Sequence, residues 1–158
     1  MRLTPETVAS EYKWVDERAE RVVPLINEVR TDLGELFDTE VGSVTTSQYH
    51  DEVEAVFADG DLAVNIAALT GLLREIDVEG DYPGFIVDEL LGRELAGMIA
   101  GNQPFRLLGE ATFHYADVHI HNGERAGVDD LDAALAAGFQ TRLPGWKWTT
   151  QPTAFSVR

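Results

Sequence analysis

Apolar residues recur near the start of the chain at alternating steps of four and three: Val8, Tyr12, Val15, Ala19, Val22, Ile26, Val29, Leu33 and Leu36. That spacing puts every member on one side of a helix. Thr4 followed by Pro5 supplies the start, with threonine as N-cap and proline at the first helical position, where its missing N–H costs nothing. Pro24 falls inside the stripe. An interior proline removes a hydrogen bond and crowds the preceding turn, so the pattern predicts two helices, about 5 to 22 and about 24 to 37, or one helix kinked there. A 3.5-residue repeat of this length also fits a coiled-coil seam. With a proline in its middle, the preferred reading is a helix or hairpin packed on the chain's own core.

After a polar break at Gly42 to Thr46, Ser47 is placed to cap a short helix with Tyr49, Val53, Val56 and Phe57 on one face. Asp59-Gly60-Asp61 ends it, and Asp61 is placed to cap the next, whose stripe is Leu62, Ile66, Leu69, Leu73 and Ile76. The two form a helix pair joined by a tight turn. Asp77 to Gly84 reads as a loop whose acids do not have the EF-hand spacing. A helix from about Phe85 to Ala100 follows, with Ile86, Leu90, Leu91, Leu95, Met98 and Ile99 as its buried candidates, closed by Gly101 and Pro104.

From Phe105 the period changes to that of strands. Phe105 to Leu108 and Ala111 to His121 read as strands, Asn122-Gly123 as a tight hairpin turn, and Glu124 to Ala126 as a short return. Asp129 then caps a small alanine-rich helix, Asp130 to Ala137, ended by Gly138, and the rest reads as short strands or extended arms broken by Pro144-Gly145 and Pro152. The expected class is α+β in one domain over residues 1 to 158: a helical part of four to five helices, about 4 to 101, packed with a small antiparallel β unit, about 105 to 158.

Charge changes this picture more than length does. Twenty-eight acidic residues stand against 12 basic ones, giving a formal net charge of −16, which disfavours direct binding to nucleic acid or anionic lipid. Acidity with few lysines suits either salt adaptation or a recognition surface for a basic partner. Residues 133 to 158 depart from the rest, carrying Arg142, Lys147 and Arg158 and no acid. This end is also aromatic, so Arg142, Trp146, Lys147, Trp148 and Phe155 are the candidates for contact with acidic surface, the chain's own or a neighbour's. The absence of cysteine excludes disulfides and thiolate chemistry. No apolar run approaches the ~20 residues of a membrane span. Met1 to Pro5 opens into a polar helix instead of an apolar leader, so a cytoplasmic or virion protein is expected.

Chemistry has one candidate stretch, Phe113 to His121, which holds three of the four histidines. On a strand, Ala116, Val118 and Ile120 share one side and Asp117, His119 and His121 the other. His-x-His on a strand brings two imidazoles within reach of one divalent metal ion, with Asp117 as third ligand or supporting carboxylate, while His114 points the opposite way. The pair also sits beside a turn, where polar residues are expected without any metal, so an exposed polar strand face is the preferred reading. No nucleophile elbow, phosphate-binding loop or dinucleotide fingerprint is present, and no cofactor is expected beyond that metal.

The segment Asp51 to Val78, a helix, an acidic glycine turn and a second helix, resembles the helix pairs of small acidic immunity proteins of bacterial toxin pairs. The resemblance covers less than a fifth of the chain and implies an acidic inhibitor of a basic partner. Three function classes follow. First comes a non-enzymatic assembly subunit, such as a component of a virus particle or another homo-oligomer, whose partners are copies of itself or other subunits. Second is an acidic inhibitor, immunity-type protein or DNA mimic. Third is a metal-dependent enzyme built on Asp117, His119 and His121.

Overall fold

The computed structural model describes residues 2–76, 79–80, 84, 86–101, 111–116 and 128–145. In these the chain forms helices α1 (Pro5–Glu17), α2 (Ala19–Leu36), α3 (Thr46–Ala58) and α4 (Gly60–Glu75). A π-helical run (Ile86–Gly92) then continues into α5 (Arg93–Ala100), and after a further helical stretch at 111–116 comes α6 (Val128–Gln140). No strand occurs among the described residues, which corrects the α+β expectation. Residues 111–116 were expected to begin a strand and are helical. Thr112 and Phe113 are both buried, as is Ala116. Neighbours buried together and again four positions on follow a helix's period, whereas a half-exposed strand would alternate. The expected Phe105 to Leu108 strand, the Asn122-Gly123 hairpin and the arms beyond Gly145 lie outside the described residues.

Thr4 caps α1 as expected, accepting from the Thr7 N–H at 3.2 Å, while the Thr7 hydroxyl accepts from the Thr4 N–H at 2.7 Å. The first stripe does not break at Pro24. It breaks at Arg18, with φ −80° and ψ 1°, and Pro24 rides on the exposed side of α2. A tertiary contact decides this: the Arg18 guanidinium reaches Asp132 of α6 through two hydrogen bonds of 2.8 and 2.6 Å, a bidentate pairing that fixes the hinge. The stripe from Val15 to Leu33 is buried in the chain's own core, so it is not a free seam for another copy. Beside the hinge, Trp14 has the Arg18 guanidinium 5.3 Å and the Arg74 guanidinium 4.5 Å from its ring centroid. Arg74 in turn grips Glu11 at 2.8 and 2.9 Å, joining α1 to α4.

Two caps lie two residues ahead of their expected positions. Thr45, not Ser47, caps α3 in a box with Gln48, and Asp59, not Asp61, caps α4 by accepting from the Leu62 N–H at 3.3 Å. The tight α3–α4 turn bends the pair by 109°. The expected Phe85 to Ala100 helix holds a π-helical half. Its wider turn rotates the face, so Leu90, expected to be buried, is 52% exposed while Val87 is covered.

Helix α6 is the centre of the molecule: every residue from Leu131 to Gln140 is buried. Gly138 does not end it as expected. A Cβ there would stand 2.8 Å from Ile99 Cβ and 2.9 Å from the Ala96 carbonyl, so the glycine is what lets α6 cross α5 at close range. Tyr49 closes the layer from α3, its ring 5.3 Å from Phe139 and its hydroxyl donating to the Val15 carbonyl at 2.7 Å. No single helix among the described residues is long and apolar enough to cross a membrane.

Candidate interaction site

Asp117, His119 and His121 lie outside the described residues, and so do Trp146, Lys147, Trp148 and Phe155. His114 is described, on the exposed side of the 111–116 helix, which removes the strand parity from that part of the argument. Arg142 is engaged within its own fold, its Nε donating to Glu52 at 2.7 Å and its Nη1 to the Ile99 carbonyl at 3.2 Å. Among the described residues no group of three or more His, Asp or Glu is placed to hold a metal ion. The fourth histidine, His50, pairs with Asp16 at 2.6 Å and ties α3 to α1.

A different feature emerges at the far end of α2. Its inner side is the apolar row Ile26, Val29 and Leu33, and its outer side is Glu28, Asp32 and Glu35, all exposed. Arg30 projects from the inner side and is 1% exposed. Its guanidinium donates to the carbonyls of Gly42 at 2.7 Å, Gln140 at 3.2 Å and Leu143 at 3.2 Å, and also to that of Pro144. Burial holds its pKa down at about 10, so it stays cationic at neutral pH. Gly145 completes the cradle with φ +118° and no Cβ, because a methyl there would collide with Arg30 Nη1 and with the Gly42 carbonyl. Arg30 thus ties the loop after α2 to the chain beyond α6.

That loop is fixed at both ends. The Asn27 side chain holds Val44 by two bonds, to its carbonyl at 3.0 Å and from its N–H at 2.8 Å. At the helix end, the Thr39 N–H donates to the Gly34 carbonyl at 2.8 Å and the Asp38 N–H to the Glu35 carbonyl at 3.3 Å. These are the two bonds of a Schellman closure. The position that such a closure reserves for glycine is Asp38, at φ 50°. Gly34 has its own reason, since a Cβ there would meet the Thr39 carbonyl at 2.7 Å.

The turn leaves Leu36 72% and Phe37 51% exposed at the helix tip, among Glu35, Asp38 and Glu40. A helix C-terminus carries partial negative charge and favours cations. Here the last turn has no basic residue, and Asp32, Glu35, Asp38 and Glu40 have no ion-pair partner among the described residues. The local field registers on Tyr115, whose phenol is pushed up by burial and then by Glu28, which also hydrogen-bonds it, and by Asp32. Two open hollows flank the ridge formed by Thr31 and Glu35. One, of about 720 Å³, runs along the loop to Gly42; the other, of about 330 Å³, lies against Tyr115 and Glu28.

A family model described as a domain of unknown function (DUF7984) matches residues 1–158. The chain belongs to that family. No curated protein and no solved structure matches it. The chain's own geometry presents an acidic ridge with two exposed apolar side chains at its end. The sequence held one sign of it, since Glu28, Asp32 and Glu35 stand at helical spacing opposite the apolar stripe. Among 28 carboxylates that spacing did not stand out.

Proposed function

We propose that this protein is a non-enzymatic protein-interaction subunit, and that the tip of α2 receives a basic segment of a protein partner. One observation carries the reading: four carboxylates without a cationic partner among the described residues surround two exposed apolar side chains at the negative end of a helix. This arrangement costs the isolated chain stability three times over. Carboxylates oppose the helix dipole, a non-glycine residue occupies a left-handed position, and apolar surface stays wet. A partner bearing lysine or arginine beside an apolar side chain relieves the first and third of these costs.

In this reading Leu36 and Phe37 are the apolar anchors, and the ridge from Glu28 to Glu40 steers and orients the partner's cations. The loop is already pinned by Asn27, Arg30 and the Schellman bonds, so little ordering cost falls on binding. The same field repels polyanions, so neither nucleic acid nor an anionic membrane is the ligand. The test places a photo-reactive phenylalanine analogue at Phe37 in the native host. The expected cross-linked partner contacts the tip through a basic segment, and is lost when Glu35, Asp38 and Glu40 are all changed to lysine. A cross-link that survives this reversal, or capture of an acidic segment, would sink the proposal.

A further inference from the structure

Gly145 is the last described residue, and the chain is held firmly there. Its carbonyl accepts from the Gly42 N–H at 3.4 Å, and Arg142, three residues earlier, is bound to Glu52. The two carbonyls between them, those of Leu143 and Pro144, take the Arg30 guanidinium. The chain therefore leaves the described fold beside Arg30 and Gly42, which both line the hollow of about 720 Å³ along the loop after α2. The same hollow is lined by Gly34, Glu35 and Asp38 at the α2 tip.

Residues 146–158 lie outside the described residues. In sequence they open Trp146-Lys147-Trp148, carry Phe155 and Arg158 further on, and contain no Asp or Glu. Cations beside large apolar side chains are what the tip is built to receive.

We infer that segment 146–158 of the same chain occupies the α2 tip, and that a partner's basic segment must displace it. This rests on the reading of the tip given above and adds its regulation. Charge, reach and tethering choose the occupant. The segment is the acid-free end of a chain of net charge −16, and it leaves the fold beside carboxylates that have no cationic partner among the described residues. Phe37 is five residues from Gly42, so at most ~18 Å separates them, and Trp146 to Thr150 spans the same distance when extended. No spacer intervenes, so the segment meets the tip at an effective concentration on the order of millimolar. A second copy would have to bring another strongly acidic body against the same field. The contact is also weak enough to yield: Lys147 and Arg158 set two cations against the four carboxylates of Asp32, Glu35, Asp38 and Glu40. Such exposed pairs are worth little each, so a partner with more cations wins.

The chain has no cysteine, so Thr149→Cys carries a single nitroxide in the full-length protein, and paramagnetic broadening of backbone amides reads where the segment lies. Broadening is expected from Glu35 to Glu40, and its loss when Glu35, Asp38 and Glu40 are all changed to lysine, with helical content unchanged. None is expected when the nitroxide sits on one copy and the observed amides on another. As a probe of displacement, a synthetic peptide of residues 146–158 is expected to bind the full chain carrying Lys147→Glu and Arg158→Glu roughly tenfold more tightly than it binds the parent. An unbroadened tip, broadening as strong between copies as within one, or equal peptide affinity for parent and variant would each overturn the inference. None of these readings needs a host partner. An unbroadened tip together with a captured basic partner therefore sinks this inference alone, whereas a broadened tip at which no basic partner is ever captured makes the segment part of the fold and sinks both.

Discussion

Asp38 shows how one residue can work against its own fold. At φ 50° it occupies the left-handed position that glycine takes without strain, and its carboxylate stands at the negative end of α2. Removing both penalties is worth about 1 kcal/mol, so Asp38→Gly is expected to raise the denaturant midpoint while weakening partner binding at the tip. A lower midpoint would mean that the side chain contributes more to the turn than its conformation costs. Arg30 is the opposite case. A guanidinium buried under four carbonyls has lost its water, and its bonds to Gly42, Gln140, Leu143 and Pro144 are what make the burial tolerable. In the sequence it stands four positions after Ile26, on the buried side of the stripe.

At the scale of elements, glycine again divides two cases that sequence treats alike. Gly97 in α5 has open space where a Cβ would go, so Gly97→Ala is expected to stabilise by up to about 1 kcal/mol through helix propensity alone. Gly138 in α6 has Ile99 and the Ala96 carbonyl within 2.9 Å of the same point. Overpacking there costs about 1–3 kcal/mol and outweighs the propensity gain, so Gly138→Ala is expected to lower the thermal midpoint. Equal signs from the two variants would refute the close crossing of α5 and α6. The same contrast explains why Gly138 read as a helix stop: a glycine after an alanine-rich run means an end or a crossing, and only the neighbour distinguishes them. The 111–116 segment was misread for a related reason, because its alternation with the residues beyond it matched a strand until the joint burial of Thr112 and Phe113 fixed the helical period.

For the whole molecule, the net charge of −16 is the dominant long-range term. The pairs that offset it, Arg18 with Asp132, Arg74 with Glu11 and Arg142 with Glu52, are short and partly buried, and salt screens them less than it screens exposed carboxylates. Raising sodium chloride from about 0.05 M to about 0.5 M is therefore expected to raise the melting temperature, by an amount on the order of several degrees. A flat or falling midpoint in scanning calorimetry would show that repulsion among the acids is not limiting. By itself the sequence determined the acidity, the helical N-terminal two-thirds, the α1 cap and which face of each early helix turns inward, apart from Leu36, placed at the end of the first stripe and 72% exposed, since local periodicity and capping chemistry encode these. Tertiary structure decided the rest: that the chain breaks at Arg18 and not at Pro24, that an alanine-rich helix near the C-terminal end is the centre of the core, and that the acids of α2 converge on an exposed apolar tip. Those outcomes depend on partners far away in sequence, Asp132 for Arg18, Ile99 for Gly138 and Gln140 to Pro144 for Arg30, and no local pattern carries that information.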